Sequence, residues 1–163
     1  MKYYIGIDVG GSSIKAALVD ENGNLSQHCK VKTPLSLEDF YLAIENIVVT
    51  MTNEQHVEGI AMSLPGAVDS NTGIIGGSSA LPYIHGPNIK KDLETRTHLR
   101  VEMENDANCA ALAEVWIGNA SDVEDSMFVV SGTGIGGAVI KDKKIHRGVH
   151  LHGGEYGYEI MIF

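Results

Sequence analysis

Over the first thirty residues apolar and polar positions alternate with a period of two, and the pattern then changes to a period near 3.6. Tyr3 to Asp8, Ile14 to Val19 and the weaker Leu25 to Val31 read as strands, with Asp20-Glu-Asn-Gly-Asn24 as the turn joining the last two. Together they predict an antiparallel meander. From Leu37 to Met51, apolar residues at Leu37, Phe40, Tyr41, Ile44, Ile47 and Val48 share one helical face, and Pro34 and Ser36 stand ahead of them as start signals. The spacing predicts a crossover helix. Val57 to Leu64 follows as a strand closing on Pro65-Gly66, and the Gly- and Ser-rich stretch 68–79 predicts a hairpin or an irregular excursion. Asn88 to Thr97 predicts a short helix, Val101 and Met103 mark a half-buried strand, and Ala107 to Trp116 predicts a helix with its apolar residues on one face.

Three strands, helix, strand, helix, strand, helix is the order of an α/β mixed sheet with flanking helices. The polar run Asn119 to Asp125 then precedes a strand from Met127 to Val130, and the lobe boundary is expected there, dividing 1–118 from 119–163. Beyond it come Gly132-Thr-Gly-Ile-Gly-Gly137, a strand Ala138 to Ile140, an Asp142-Lys143 turn and a strand beginning near Ile145. The second part thus repeats the opening of the first: strand, glycine-rich turn, strand.

Composition narrows the picture without redirecting it. With 44% hydrophobic and 20% charged residues, the chain has the means to build a packed core. A net charge of -9 and the lack of a Lys/Arg-rich run argue against nucleic acid or an anionic membrane as partner. The chain enters a strand almost at once, without a long apolar segment or a small-residue cleavage site, so a cytoplasmic protein is expected. Cys29 and Cys109 are too few for a disulfide framework or a cysteine metal site and are expected to be reduced.

The candidate chemistry sits where strands end. Asn105-Asp106 lies between the Val101 strand and the following helix, at the carboxyl edge where open α/β sheets bind ligands, although both residue types also cap helices. Asp8-Val-Gly-Gly-Ser-Ser-Ile-Lys15 joins two strands, and its adjacent glycines let backbone N–H groups approach an anion. The N–H groups of Gly10 and Gly11 and the hydroxyls of Ser12 and Ser13 would donate to phosphate, Lys15 would supply charge, and Asp8, an acid without an evident partner, would hold Mg²⁺ through water. A plain hairpin turn is the alternative. The stretch from Gly132 to Val139 spells both the dinucleotide fingerprint and the protein-kinase glycine loop. A strand rather than a helix follows it, and neither H-R-D nor D-F-G occurs, which leaves a glycine-rich strand-to-strand turn with Thr133 as a phosphate donor. His152-Gly-Gly-Glu-Tyr-Gly-Tyr158 reads as a flexible loop presenting Glu155 to a polar ligand such as a sugar. His146, His150 and His152 are expected to be solvated or packed rather than metal ligands.

Asp8-Val-Gly-Gly-Ser-Ser-Ile-Lys15, Leu64-Pro-Gly-Ala-Val-Asp69, Glu104-Asn-Asp-Ala-Asn-Cys-Ala-Ala-Leu-Ala-Glu114, Gly132-Thr-Gly-Ile-Gly-Gly137 and Gly153-Gly-Glu-Tyr-Gly157 together resemble the ROK family of bacterial sugar kinases and sugar-responsive repressors. The resemblance implies an actin-like ATPase (ribonuclease H-like) fold of two lobes, with ATP and sugar meeting in a cleft. It implies ATP phosphates on Asp8, Gly10, Gly11, Ser12 and Lys15 and on Gly132, Thr133, Gly134 and Gly136, with Mg²⁺ at Asp8. Gly66, Asn105 and Glu155 would contact the sugar, and Asp106 would be the general base. Ser12 stands where the family usually has threonine, and Ala80 replaces an asparagine often found before Leu-Pro. Tyr158 takes the place of a zinc-ligating histidine, so no structural zinc is expected.

The Gly-Glu-aromatic-Gly-Tyr pattern is similar to the β-glucoside kinase branch, which phosphorylates the 6-hydroxyl of a non-reducing glucose. Relative to that family the chain stops early in the second lobe. Weak activity of the 163 residues alone and an exposed unfinished strand at Ile160 to Phe163 are therefore expected. The competing reading is the sugar-sensing domain of a ROK-type regulator. The near-immediate first strand and the presence of Asp106 favour the enzyme. A small-molecule sugar is the expected partner, and a homodimer is left open.

Overall fold

The computed structural model describes residues 1–53, 55–131 and 135–158, without the side chain of residue 158. Two compact units divide the chain, Met1–Asn105 and Asp106–Phe163.

In the first unit β1 (Tyr3–Val9), β2 (Ser13–Asp20) and β3 (Leu25–Lys32) form the predicted meander, and β4 (Gly59–Leu64) and β7 (Arg100–Asn105) add in parallel on the other side of β1. The resulting order is β3-β2-β1-β4-β7. The chain builds outward from β1 first on one side and then on the other, so the order reverses at β1. In open α/β sheets that reversal, at the carboxyl ends of the strands, is where a ligand crevice lies.

Strand alternation decides which face is covered. Ile5, Ile7 and Val9 of β1, Ile14, Ala16 and Leu18 of β2, Ile60, Met62 and Leu64 of β4 and Val101 and Met103 of β7 enter one buried cluster. On that face lies α1 (Leu37–Thr52), whose Phe40, Tyr41, Ile44, Ile47, Val48 and Met51 are buried at the predicted helical spacing. Ser36 caps α1 by accepting from the Asp39 N–H at 3.2 Å, as its position before the periodic run predicts. The shorter α2 (Ile89–Thr97) adds Ile89 and Leu93 to the same core. It opens on Asn88, whose side chain accepts from the Lys91 N–H at 3.0 Å, and closes on His98 in the left-handed region at φ 56°.

Between β4 and α2, the predicted excursion is a two-stranded hairpin of β5 (Ala67–Asp69) and β6 (Ile74–Gly76), followed by a 3₁₀ turn over Pro82–Ile84. The Lys90 ammonium donates to the Ser70 carbonyl at 3.3 Å and Asn88 Nδ2 donates to the Thr72 carbonyl at 2.8 Å. These bonds tie the hairpin tip to the start of α2.

The second unit opens with α3 (Asp106–Ile117) and continues as an antiparallel sheet of β8 (Ser126–Ser131), β9 (Ile135–Lys141) and β10 (Lys144–Ile145). Asp142 and Lys143 join β9 to β10 with φ of 51° and 60°, the two positive values of the mirror-image turn that matches strand twist. Ala111, Ala138 and Ile140 are its buried centre, with Val115, Phe128 and Ile145 against them. One expectation fails here: α3 does not bury its large apolar residues within this unit. Its buried residues are Ala107, Asn108 and Ala111, while Leu112, Trp116 and Ile117 are exposed. The small face is inward because β9 is glycine-bearing and the helix lies close, a Cβ on Gly136 being only 3.3 Å from that of Ala107.

Candidate functional site

β1 delivers Asp8 one residue before its end, and the antiparallel register sets Lys15 of β2 directly opposite. The carboxylate is therefore not without partners, as the sequence suggested. Its Oδ2 lies 3.7 Å from the Lys15 ammonium and its Oδ1 accepts from the Ser63 hydroxyl at 3.1 Å. Both side chains of the ion pair are more than half exposed, at 52% and 63%, so the pair contributes little to stability and leaves both charges open to a ligand.

The turn between β1 and β2 closes through the Gly10 N–H on the Ser13 carbonyl at 3.0 Å. Neither glycine here has a positive φ; what they provide is space. A Cβ on Gly10 would stand 3.0 Å from the Ser13 oxygen, and one on Gly11 would stand 3.1 Å from the Cβ of Ala80. The turn thus packs closely at Gly11 on the segment leading to Pro82–Ile84.

That segment links the turn to the candidate sugar contacts. Ser79 Oγ lies 2.8 Å from His85 Nε2 and accepts from the Leu81 N–H at 3.2 Å. His85 in turn packs on Gly66, where φ is 101° and an added Cβ would stand 3.0 Å from His85 Cε1. The Gly66 carbonyl accepts from Asn105 Nδ2 at 3.1 Å. Gly11, Ala80, Ser79, His85, Gly66 and Asn105 therefore form one run of contacts along the carboxyl edge of β1, β4 and β7. Sequence reasoning passed over Ser79 and His85. The signal available was weak, a histidine between an Ile and a Gly in a stretch already assigned to loop.

Asp106 is the first residue of α3, immediately after β7, so the predicted strand-to-helix junction is present. Its side chain is exposed, and Oδ1 accepts from the Ala107 N–H at 2.8 Å. This contact holds the carboxylate at the amino terminus of α3, against the first backbone donor of the helix.

Of the second glycine-rich turn, Gly132, Thr133 and Gly134 lie outside the described residues. Ser131 pairs with Ile135, so the connection is those three residues, and Gly136, expected in the turn, lies inside β9. A strand follows the glycines, as expected, which disposes of the dinucleotide reading of the motif.

Glu155 is half-buried, and its carboxylate has no hydrogen-bond or ion-pair partner among the described residues. Its loop is less free than its glycine content suggested. The Glu155 N–H donates to the His152 carbonyl at 3.2 Å and the Tyr156 N–H to the Gly154 carbonyl at 2.8 Å. A Cβ on Gly154 would stand 2.7 Å from Ala138 Cα, one on Gly137 would run into the Tyr156 ring, and one on Gly157 into the Ile135 carbonyl. The glycines serve close packing on β9. Among the described residues no three His, Cys, Asp or Glu side chains gather as a metal cluster, and no helix is long and apolar enough to cross a membrane.

Known proteins share both sequence and fold with this chain. It is 37% identical over 151 residues to a β-glucoside kinase of Listeria monocytogenes, a match covering 93% of this chain and 51% of that protein. A ROK family protein from Streptococcus pneumoniae, solved in complex with sucrose, superposes with a TM-score of 0.83 at 42% identity over 96% of this chain and 52% of its own. A ROK family glucokinase from Streptomyces griseus, solved with glucose and AMPPNP, gives a TM-score of 0.89 at 31% identity over 98% of this chain and 51% of its own. The chain spans about half the length of the relatives it matches. Its mixed sheet with flanking helices is the actin-like ATPase fold of the ROK sugar kinases. The ROK family model matches residues 4–163, and the chain accordingly belongs to the ROK family.

Proposed function

We propose that the full-length protein carrying this sequence phosphorylates a sugar hydroxyl at the expense of ATP, with Asp106 as the general base. The observation that carries this reading is the exposed carboxylate of Asp106 at the β7–α3 junction, next in sequence to an Asn105 whose amide is already fixed on the Gly66 carbonyl at 3.1 Å. A base must be held still and left open to its substrate, and both conditions are met by a carboxylate at a helix start.

Asn105, Gly66 and Glu155 are the proposed sugar contacts. An asparagine amide can bond sugar hydroxyls, and a carboxylate such as that of Glu155 accepts from them. Residues 10–13 and 132–134, with Gly136 at the start of β9, are the proposed phosphate contacts, and Lys15 adds positive charge. The Asp8 carboxylate, exposed and with Ser63 and Lys15 as its partners among the described residues, suits a hard cation held through water. Mg²⁺ bound with the nucleotide would offset negative charge on the transferring phosphoryl group. Asp106 then takes the proton of the attacking hydroxyl as that oxygen meets the terminal phosphate in line.

The β-glucoside kinases among the relatives make a cellobiose-like β-glucoside the first substrate to test, with the 6-hydroxyl of its non-reducing glucose as acceptor. The lobes of the enzyme are proposed to divide near residue 118. A coupled ADP-release assay of the full-length protein against cellobiose, glucose, fructose and N-acetylmannosamine tests the proposal. Sugar-dependent ADP release with one of them supports it. Sugar binding without ADP release from any would turn the assignment to the sugar-sensing domain of a regulator.

A further inference from the structure

Thr33 follows β3 and belongs to no motif, yet it is 4% exposed and bonded twice to the turn between β1 and β2. Its Oγ1 donates to the Gly10 carbonyl at 2.6 Å, and its backbone N–H donates to the Ser12 carbonyl at 3.2 Å. The Gly10 N–H occupies the Ser13 carbonyl at 3.0 Å. Three of the four carbonyls of residues 10–13 are thereby turned to donors of the chain itself. The N–H groups of Gly11 and Ser12 have no partner among the described residues.

We infer that Thr33 is a positioning residue for the phosphate-binding turn: by engaging the Gly10 and Ser12 carbonyls it turns acceptor oxygens away and leaves donors for an anion. The inference rests on the proposed role of residues 10–13 in holding ATP phosphates. An anion is repelled by carbonyl oxygens and attracted by N–H groups, so a cradle works only when its own acceptors are directed elsewhere. Thr33 is well held for this task. Pro34 after it confines its backbone to extended conformations, and the Pro34 carbonyl accepts from the Tyr83 hydroxyl at 2.6 Å. The threonine methyl is buried with the rest of the side chain, which fixes the rotamer that aims the hydroxyl at Gly10.

Steady-state kinetics of the full-length protein, varying ATP and sugar separately, test the inference with Thr33→Val, Thr33→Ser and Ser12→Ala. Valine keeps the shape and removes the hydroxyl, so KM for ATP is expected to rise about tenfold, the equivalent of one hydrogen bond, with KM for the sugar nearly unchanged. Serine is expected to restore KM for ATP. If the valine protein does not fold, Thr33→Cys replaces it, since a thiol is a poor donor of similar size. An unchanged KM for ATP in the valine or cysteine protein, alongside a raised value in Ser12→Ala, overturns the role of Thr33 and leaves the turn as a phosphate site. Unchanged values in all variants overturn the role of Thr33 and remove the Ser12 hydroxyl from the phosphate site. Equal rises for ATP and sugar, not rescued by serine, reduce Thr33 to general structural support and also overturn the inference.

Discussion

Gly66 holds a backbone shape that a larger residue would strain. Its φ of 101° lies where L residues are rarely found, and an added Cβ would stand 3.0 Å from both His85 Cε1 and Ile75 Cγ2 and 3.1 Å from the Gly76 carbonyl. Gly66→Ala is expected to destabilise the protein by about 1–3 kcal/mol, measured by urea unfolding, because strain and crowding act together. A stability within error of the parent would show that the hairpin yields at little cost. Residues of this kind are legible in the sequence when a glycine, an acid or an amide ends an apolar strand, which is how Asp8, Gly66, Asn105 and Asp106 stood out. Thr33 and His85 were not legible. Their partners are 23 and 19 residues away in sequence, and nothing local in a Thr-Pro or an Ile-His-Gly announces contact with Gly10 or Gly66.

Among the elements, the β2–β3 turn is governed by one carboxylate. Asp20 accepts from the Asn22 N–H at 2.8 Å, the Asn24 N–H at 2.9 Å and Asn24 Nδ2 at 2.8 Å. The Asn24 side chain first, and then the backbone donors, hold its pKa below the ordinary carboxylate value. An unfolded aspartate titrates near pH 4 and the folded one lower, so the stabilisation is complete above about pH 4 and is lost as pH falls through the folded pKa. Asp20→Ala is therefore expected to lower Tm at neutral pH, with the gap from the parent narrowing in acid; a gap independent of pH would contradict this. At the α1–α2 contact the Tyr41 hydroxyl donates to Asp92 Oδ2 at 2.7 Å, with the Arg96 guanidinium 4.6 Å from the ring centroid. Burial first, and then Asp92, push the Tyr41 pKa above the ordinary phenol value. Tyr41→Phe should cost about 1 kcal/mol in chemical denaturation, the net worth of one hydrogen bond. Helix α1 and the meander were legible because period and caps agreed along the whole segment. A register irregularity between β2 and β3, with Gln27 at φ 49°, left no mark in the pattern, and neither did the inward small face of α3, since each depends on how closely a neighbour approaches.

For the whole molecule, the order of elements along the chain was enough to predict a mixed sheet with helices on it, and the topology bears that out. Strand order came from tertiary pairing, and with it the reversal at β1 that brings the Asp8 turn, Gly66 and Asn105 to one edge. Family membership follows from residues 4–163 as a whole, whereas the proposed catalysis narrows to one side chain, Asp106. The most direct measurement is kcat of Asp106→Asn in the full-length protein at saturating ATP and the best sugar acceptor, with sugar binding followed by calorimetry and folding by Tm. The account predicts a fall in kcat of about 10²–10⁴ with binding and Tm preserved. A kcat within a few-fold of the parent would contradict it and require another group to take the proton.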